Sequence, residues 1–234
     1  MLSRSIDRTS LLYRLAKNLF RFSITAKMTL TTSALIVNSS EPTKILAQAI
    51  TAILSGKSDR TPAADLTSAL LEVEKLAKQT KLDILITDLV GEWQLSFATG
   101  AKKSKNTAGI RLGKGFYFPQ FIPASISFTP DATNPQIGEI ANQVAVGLVK
   151  LKLIGPYRYL GKKNLLAFDF VDVEVRILDR VVYQGKMPRK NKIDREFASK
   201  SIAQLPFFSF ISASNQGIAA RGRGGGLALW VKSE

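Results

Sequence analysis

The spacing of apolar residues between positions 41 and 90 predicts a helical unit. Apolar side chains recur at i, i+4 spacing over residues 45–54, and Gly56 follows as a helix terminator. A second stripe of this kind covers residues 64–78, and residues 83–89 have the length of a third, short helix. Each such helix buries one apolar face. We therefore expect the unit to pack on a neighbouring sheet.

From Gly91 onward, apolar and polar positions mostly alternate with a period of two, which predicts a β domain over residues 91–234. In its first strand, this alternation places Trp93, Leu95 and Phe97 on one face. The pattern as a whole predicts a mainly β (α+β) chain with three parts. These are an N-terminal extension and linker (1–40), the helical unit (41–90) and the β domain.

Two long apolar segments each change phase once. Residues 144–154 shift near Leu148-Val149, and residues 166–177 shift between Phe170 and Val171. We interpret each shift as a β-bulge within one strand. Bulges of this kind are what a strongly curved sheet needs, so the pattern favours a closed antiparallel barrel.

The segment 218–231 predicts a hairpin that closes this barrel. Gly224, Gly225 and Gly226 supply the positive φ values of a tight turn, and alternation places Arg221 and Arg223 on one face. We expect one of these arginines to close the barrel by lying on the indole of Trp93, as a cation–π contact. The alternative is that Trp93 is an ordinary core residue and the arginines are solvated.

Charge and composition narrow the classes of function. Lys and Arg number 33 against 18 acidic residues, a net charge of +15, and the chain has no Cys and no His. Disulfides, thiolate nucleophiles, His-dependent triads and imidazole metal ligands are therefore excluded. A basic surface favours polyanions, either nucleic acid or anionic lipid. Among its apolar runs, none reaches the roughly 18–20 residues of a membrane-spanning helix.

The first 27 residues are basic and leave three interpretations open. They contain six basic residues and one acidic residue, and leucines fall on one face of a possible helix. The segment fits an organelle transit peptide, or an amphipathic helix lying on an anionic membrane. The third interpretation is that Met28 is the true start. Residues 28–40 are rich in Thr and Ser and predict a linker.

Two loops are strongly basic and are candidates for contact with an anionic surface. They cover residues 101–114 and 186–195. The candidate residues are Lys102, Lys103, Lys105, Arg111, Lys114, Lys186, Arg189, Lys190 and Lys192. The alternative partner of these loops is nucleic acid, with Phe116, Tyr117 or Trp230 as stacking platforms.

Few residues suggest catalysis. Asp169, Asp172 and Glu174 alternate with apolar residues, which is typical of the solvated face of a strand rather than of a metal or acid–base site. The glycines of residues 222–226 lack the Gly-Lys-Ser/Thr ending of a phosphate-binding loop, and a single RGG-like segment leading into an apolar strand favours a hairpin. We expect no enzyme activity and no cofactor.

The chain resembles a known family at two places. Leu89-Val-Gly-Glu-Trp-Gln-Leu-Ser-Phe-Ala-Thr99 is similar to the L-x-G-x-W-x-L-x-Y-T-T strand of the plastid lipid-associated proteins, or plant and cyanobacterial fibrillins. Ala220-Arg-Gly-Arg-Gly-Gly-Gly-Leu-Ala-Leu-Trp-Val231 is similar to the ending of one branch. The likeness runs from about Lys44 to Glu234 and is sharp only there. The chain departs from the family at Phe97-Ala98, often Tyr-Thr, and at Ser214-Asn215, where many members carry an acidic residue.

This resemblance implies a lipocalin-like barrel and a non-catalytic lipid-associated protein. Family members are associated with thylakoids and plastoglobules, so it also implies a peripheral location in a chloroplast or a cyanobacterial cell. Aromatic and apolar residues exceed what a small barrel obviously requires, and they either fill it or line a cavity for an isoprenoid or acyl ligand. The cavity candidates are Trp93, Leu95, Phe97, Phe128, Phe168, Phe170 and Trp230.

Overall fold

The structure, a computed structural model, describes residues 40–103, 110–119, 121–187 and 197–233. Two α-helices come first in this part of the chain, α1 (Glu41–Leu54) and α2 (Ala63–Thr80). The strands follow as β1 (Gly91–Ala98), β2 (Ala101–Lys103), β3 (Ile110–Leu112), β4 (Phe116–Tyr117), β5 (Ala124–Pro130), β6 (Ile137–Val146), β7 (Val149–Leu160), β8 (Leu165–Phe168), β9 (Asp172–Ile177), β10 (Arg180–Lys186), β11 (Phe207–Ala213), β12 (Gly217–Gly222) and β13 (Leu227–Lys232).

Eight antiparallel strands form a closed barrel. Their order is β7, β6, β5, β1, β13, β12, β11 and β8, and β8 pairs with β7 again to complete the circle. The first and last barrel strands are neighbours, with Leu95 opposite Trp230. The prediction of N-terminal helices followed by a lipocalin-like antiparallel barrel is therefore confirmed.

Both segments that were predicted as single bulged strands are instead two strands. Residues 144–154 contain a hairpin in which Val146 lies opposite Val149 and Gly147 has a φ of 57°. Residues 166–177 contain the end of β8 and all of β9, and the chain passes between two different regions of the sheet there. The changes of phase thus mark ends of strands, because a turn without Asn-Gly or Pro leaves the same apolar pattern as a bulge.

The sheet divides at Gly155. After this residue, β7 pairs with β8, starting with Tyr157 opposite Phe168. Before it, β7 pairs with β9, ending with Ile154 opposite Asp172. The strands β9 and β10 therefore extend away from the barrel together with the first half of β7, residues 149–154. We call residues 146–154 together with residues 172–186 the flap.

Backbone passes closely over Gly155. A Cβ atom at this position would overlap the carbonyl oxygen of Asp169 and lie 2.8 Å from its carbonyl carbon. The amide of Asp169 donates to the carbonyl of Pro156, and the amide of Val171 donates to that of Ile154. These bonds hold the crossing segment on β7, and only glycine leaves enough space beneath it.

Two apolar cores lie on opposite sides of β12 and β13. Ile218, Ala220 and Trp230 point into the barrel, whereas Ala219 and Leu229 pack under the helices. The alternation predicted for these strands is confirmed. Of the three glycines in the connecting turn, only Gly225 has a positive φ, at 89°.

An ion pair also fastens α2 to the outside of the barrel. The Arg221 Nε donates to the Glu74 Oε1 at 2.8 Å, and the Arg221 Nη2 bonds the second carboxylate oxygen. Lys78 adds a contact of 2.9 Å to the same carboxylate. Burial would raise the pKa of Glu74, but the hydrogen bonds from Arg221 and Lys78 outweigh it and lower that pKa.

Candidate functional site

One end of the barrel is closed by the segment just before β1. Residues 83–89 were predicted as a short helix, but only Ile86–Asp88 form a 3₁₀ turn. Ile84, Ile86 and Leu89 are buried against the inner core. The Tyr159 hydroxyl donates to the carbonyl of Ile84 at 2.6 Å. We call this end the floor.

Asn164 and Trp93 add further hydrogen bonds at the floor. The Asn164 side-chain amide donates to the carbonyl of Leu82 at 2.6 Å, and its oxygen accepts from the amide of Ile84 at 3.0 Å. The Trp93 Nε1 donates to the carbonyl of Leu89 at 2.7 Å. These hydrogen bonds pair the polar groups at the floor and join the segment before β1 to β1, to β7 and to the turn after β7.

The cation on Trp93 is a lysine. The Nζ of Lys232 lies 4.2 Å from the centroid of the indole and donates to the carbonyl of Val90 at 3.0 Å. Lys232 is the residue opposite Trp93 in the β1–β13 ladder. A cation of the closing strands therefore lies over Trp93, but it is neither of the two predicted arginines.

The prediction that Arg221 or Arg223 makes this contact is wrong. Both point away from the barrel interior, since they share a face with Ala219. Arg221 pairs with Glu74 as described above. The Arg223 guanidinium donates to the carbonyls of Leu205 and Ala203 at 3.0 and 2.7 Å. Neither arginine closes the barrel through the indole.

We expect replacement of Lys232 by Met to lower the free energy of unfolding by about 1 kcal/mol. The variant keeps the apolar stem of the side chain but loses the charge over Trp93 and the bond to Val90. Lys162→Met, at an exposed position beyond β7, is the matched control. Urea unfolding of both variants tests the prediction. Equal midpoints for the two would contradict it.

The part of the barrel interior next to the floor is filled by side chains. Trp93, Phe128, Ile140 and Tyr157 have at most 1% of their surface exposed. The rings of Phe128 and Tyr157 meet edge to face, 6.3 Å apart. Burial raises the pKa of the Tyr157 hydroxyl to about 12. Two of the predicted cavity residues, Trp93 and Phe128, therefore lie in a packed core.

The opposite end of the barrel is lined by aromatic rings in mutual contact. Phe168 and Phe208 stack with centroids 5.0 Å apart, and Phe170 lies 5.1 Å from Phe168. Trp230 meets Phe208 edge to face at 5.5 Å. Phe170 and Phe208 are only partly buried. We call these four residues the mouth.

The mouth continues into the apolar face of the flap. Leu151 and Leu153 lie on the same side of β7 as the buried Tyr157, because the ladder with β6 runs without a shift. Val175 and Val173 lie directly opposite them on β9. These four flap residues are neither fully buried nor fully exposed. The inner surface of the barrel thus extends outward as a half-covered apolar sheet.

Phe97 does not belong to this surface. A shift of register between Leu95 and Phe97 turns the Phe97 ring outward, where it is fully buried under the helices, 5.1 Å from Tyr117. The assignment of Phe97 to the barrel interior is therefore wrong. Leu95 keeps its predicted side and packs against the inner core. Sequence reasoning did not assign Phe208 to the barrel interior. Alternation does not show that β11 pairs with β8, and this pairing places Phe208 opposite Leu166.

Most of the predicted basic contact residues lie outside the described residues or have side chains that the structure does not describe. The former are Lys105, Arg189, Lys190 and Lys192, and the latter are Lys102, Lys103 and Arg111. Lys114 is exposed. Lys186 is also exposed and pairs with Asp172 at 2.7 Å.

The carboxylates near the flap are each paired with a cation. Asp169 bonds Lys200 at 2.7 Å, and Glu174 bonds Arg176 at 2.6 Å, while Asp172 pairs with Lys186. The hydrogen bond from Arg176 lowers the pKa of Glu174. In the part of the chain that the structure describes, no group of three or more acidic side chains is arranged to hold a metal ion.

The three proposed stacking platforms differ in their exposure. Phe116 is half exposed, whereas Trp230 is buried. The Tyr117 hydroxyl donates to the carbonyl of Thr61 at 2.7 Å, and the Arg60 guanidinium carbon lies 5.3 Å from the centre of its ring. Trp230 and Tyr117 are thus occupied by contacts within the protein.

A separate cleft of about 530 Å³ lies on the outer surface near the floor end of β5, β6 and β7. Ile137, Tyr157 and Phe197 contribute to its walls. The guanidinium of Arg158, also in the wall, donates to the carbonyls of Ala198 and Lys200 at 3.1 and 3.0 Å. These hydrogen bonds of Arg158 hold the segment before β11 against the barrel.

Comparison of the chain with family models, curated proteins and solved structures gave no match. None of the helices in the described ranges combines the length and the apolar character that crossing a bilayer requires. The functional argument therefore rests on the residues of this chain.

Proposed function

We propose that the protein is a non-catalytic, lipid-associated protein that binds a hydrophobic isoprenoid or acyl ligand at the mouth of the barrel. The observation that supports the proposal is the continuous apolar surface from the mouth to the flap. Phe170, Phe208 and the aliphatic side chains of the flap are only partly covered, although the interior beneath them is close-packed. A ligand lying across this surface would remove it from water, and each Å² of apolar surface buried is worth about 25 cal/mol.

The chemistry of the surroundings supports binding rather than catalysis. The mouth is formed by three phenyl rings and one indole, and the carboxylates that flank Phe170 in the sequence, Asp169 and Asp172, are held in ion pairs with lysines. Nucleophilic Cys and general-base His are absent from the sequence. Such a surface selects for shape and hydrophobicity, which suits a long apolar chain or polyene.

We further propose that the protein docks on photosynthetic membranes or lipid globules of a chloroplast or cyanobacterial cell. The net charge of +15 favours an anionic lipid surface. The resemblance of the strand around Trp93 and of the closing hairpin to the plastid lipid-associated proteins indicates the same kind of location. This part of the proposal predicts that the ligand is taken from, or delivered to, a membrane.

Titration with all-trans-retinol tests the ligand site. Retinol accepts energy from excited tryptophan, so binding at the mouth is expected to quench the emission of Trp230. Phe170→Ala removes a partly exposed ring that contacts Phe168, and we expect it to weaken retinol binding about tenfold. Phe197→Ala is the matched control, because that ring is partly exposed in the wall of the cleft near Arg158, at the floor end of the barrel.

Equal affinities of the wild type and Phe170→Ala would show that retinol binds elsewhere, for example in the cleft near Arg158. Loss of affinity in both variants would have the same meaning. Saturable binding that only Phe170→Ala weakens supports the mouth as the ligand site.

A further inference from the structure

The far end of the flap consists of two turns that lie side by side. One joins β6 to β7 through Gly147 and Leu148, and the other joins β9 to β10 through Leu178 and Asp179. The amide of Leu178 donates to the carbonyl of Leu148 at 3.1 Å, so the turns form one unit. We call residues 146–149 together with residues 177–183 the flap tip.

The flap tip concentrates exposed apolar side chains. Leu148 and Leu178 each have 65% of their surface exposed. Six further large apolar residues of the tip are exposed as well: Val146, Val149, Ile177, Val181, Val182 and Tyr183. Single exposed apolar residues are normal on protein surfaces, but a contiguous group marks a site of interaction.

The conformation of Leu178 is an independent indication. Leu178 and Asp179 have φ values of 50° and 63°, the left-handed pair of a two-residue hairpin turn. Asn-Gly is the preferred sequence for such a turn, and a leucine there carries an energetic cost. Since the Leu178 side chain is mostly exposed, contacts within the protein do little to offset this cost. Local strain of this kind is typical of functional positions.

The charges around the tip favour an anionic partner. Among the described residues, the flap carries five cations against three carboxylates. They are Lys150, Lys152, Arg176, Arg180 and Lys186 against Asp172, Glu174 and Asp179. Asp179, the carboxylate within the tip itself, is paired with Lys150 at 2.5 Å. Apolar turns with cations set behind them match a bilayer whose acyl region lies beneath anionic headgroups.

We propose that the flap tip inserts into the boundary between headgroups and acyl chains of an anionic lipid bilayer. Leu148 and Leu178 enter first. Lys150, Arg176 and Lys186 are paired with carboxylates of the flap, so Lys152 and Arg180 are the cations that lie at the level of the headgroups. This inference rests on the proposed function and gives its membrane contact a location. The mouth and the tip lie along one apolar face of the sheet, so a ligand passes between bilayer and barrel without crossing water.

Vesicle co-sedimentation tests the proposal. The full-length protein is mixed with vesicles of phosphatidylcholine containing a minority of phosphatidylglycerol, and with phosphatidylcholine vesicles alone. We expect binding to the anionic vesicles, and we expect Leu148→Asn with Leu178→Asn to weaken it on the order of tenfold or more. Leu85→Asn is the matched control, because this leucine is 58% exposed at the opposite, floor end.

Protein stability separates lost contact from lost folding. Asn tolerates the left-handed conformation better than Leu, so Leu178→Asn is expected to melt at the same temperature as the wild type or higher. A second measurement uses Leu178→Trp and Leu85→Trp with lipids brominated in their acyl chains. Quenching confined to Leu178→Trp supports insertion. Absence of quenching in both variants overturns the proposal.

The remaining outcomes also test the insertion of the flap tip. Equal loss of vesicle binding in the Leu85 control, or unchanged binding in the double variant, overturns the proposal. So does a wild-type dimer that becomes a monomer in the double variant without lipid, because the tip would then be a self-association surface. Retinol binding by the double variant distinguishes the two proposals: if vesicle binding is lost and retinol affinity is kept, the mouth functions independently of the tip.

Discussion

Replacement of Gly155 by Ala is expected to lower the free energy of unfolding by about 3 kcal/mol or more. The new methyl group would overlap the carbonyl of Asp169, and this neighbour is backbone fixed by hydrogen bonds on both sides. Either the crossing segment moves away from β7, or the strand bends. Both responses break the bonds from Asp169 to Pro156 and from Val171 to Ile154.

Gly161→Ala provides the control for this experiment. A Cβ at that position meets only a ring carbon of Tyr159, at 3.8 Å, which is an ordinary contact. We expect a change within about 0.5 kcal/mol. Chemical unfolding of both variants measures the difference. If Gly155→Ala unfolds at the same denaturant concentration as Gly161→Ala, the division of the sheet at Gly155 is not as tight as the structure indicates.

The second large effect is expected for Glu74→Gln, which removes the carboxylate that fastens α2 to β12. Arg221 would then be left partly buried beside a neutral amide. We expect a loss of about 3 kcal/mol near neutral pH. Lys78→Met tests the minor partner, and since that lysine is mostly exposed we expect less than about 1 kcal/mol.

The effect of Glu74→Gln depends on pH in a defined direction. The native pKa of Glu74 is lowered, so its contribution to stability is complete above the ordinary carboxyl pKa of about 4.3. It decreases as pH falls from there through the lowered native value. The melting temperatures of the wild type and the variant should therefore differ at neutral pH and converge in acid. A difference that stays constant with pH would assign it to packing rather than to the charge.

The patterns that could be read from the sequence were those that depend on neighbours along the chain. Alternation assigned Ile218, Ala220 and Trp230 to one side of the closing hairpin and Leu229 to the other, as observed. The same rule failed at Phe97, because the irregularity at Ser96 reverses the face to which the following residues of β1 point. Such an irregularity is set by pairing with β13, far away in the sequence.

Contacts between distant segments could not be read in this way. Arg221 was expected on Trp93, yet its partner Glu74 lies 147 residues earlier, on a helix whose polar face gives no sign of it. The cation on the indole, Lys232, follows from the register of β1 and β13, which alternation alone does not provide. The flap tip was hidden for a related reason. Leu148 lies within the apolar run 144–149, and Leu178 directly follows the alternating residues 173–177. Their exposure is known only once the two turns are placed in the structure.

The closure of the barrel through β1 and β13 also has a kinetic consequence. The bond from the amide of Leu227 to the Thr99 hydroxyl joins residues 128 positions apart, and the whole β1–β13 ladder has comparable separations. Closing so long a loop is entropically costly, and folds dominated by such contacts form slowly. Until β13 arrives, β1 presents one free edge and an uncovered Trp93. We therefore expect barrel closure to be a late step of folding, and the open intermediate to be the species most prone to aggregate.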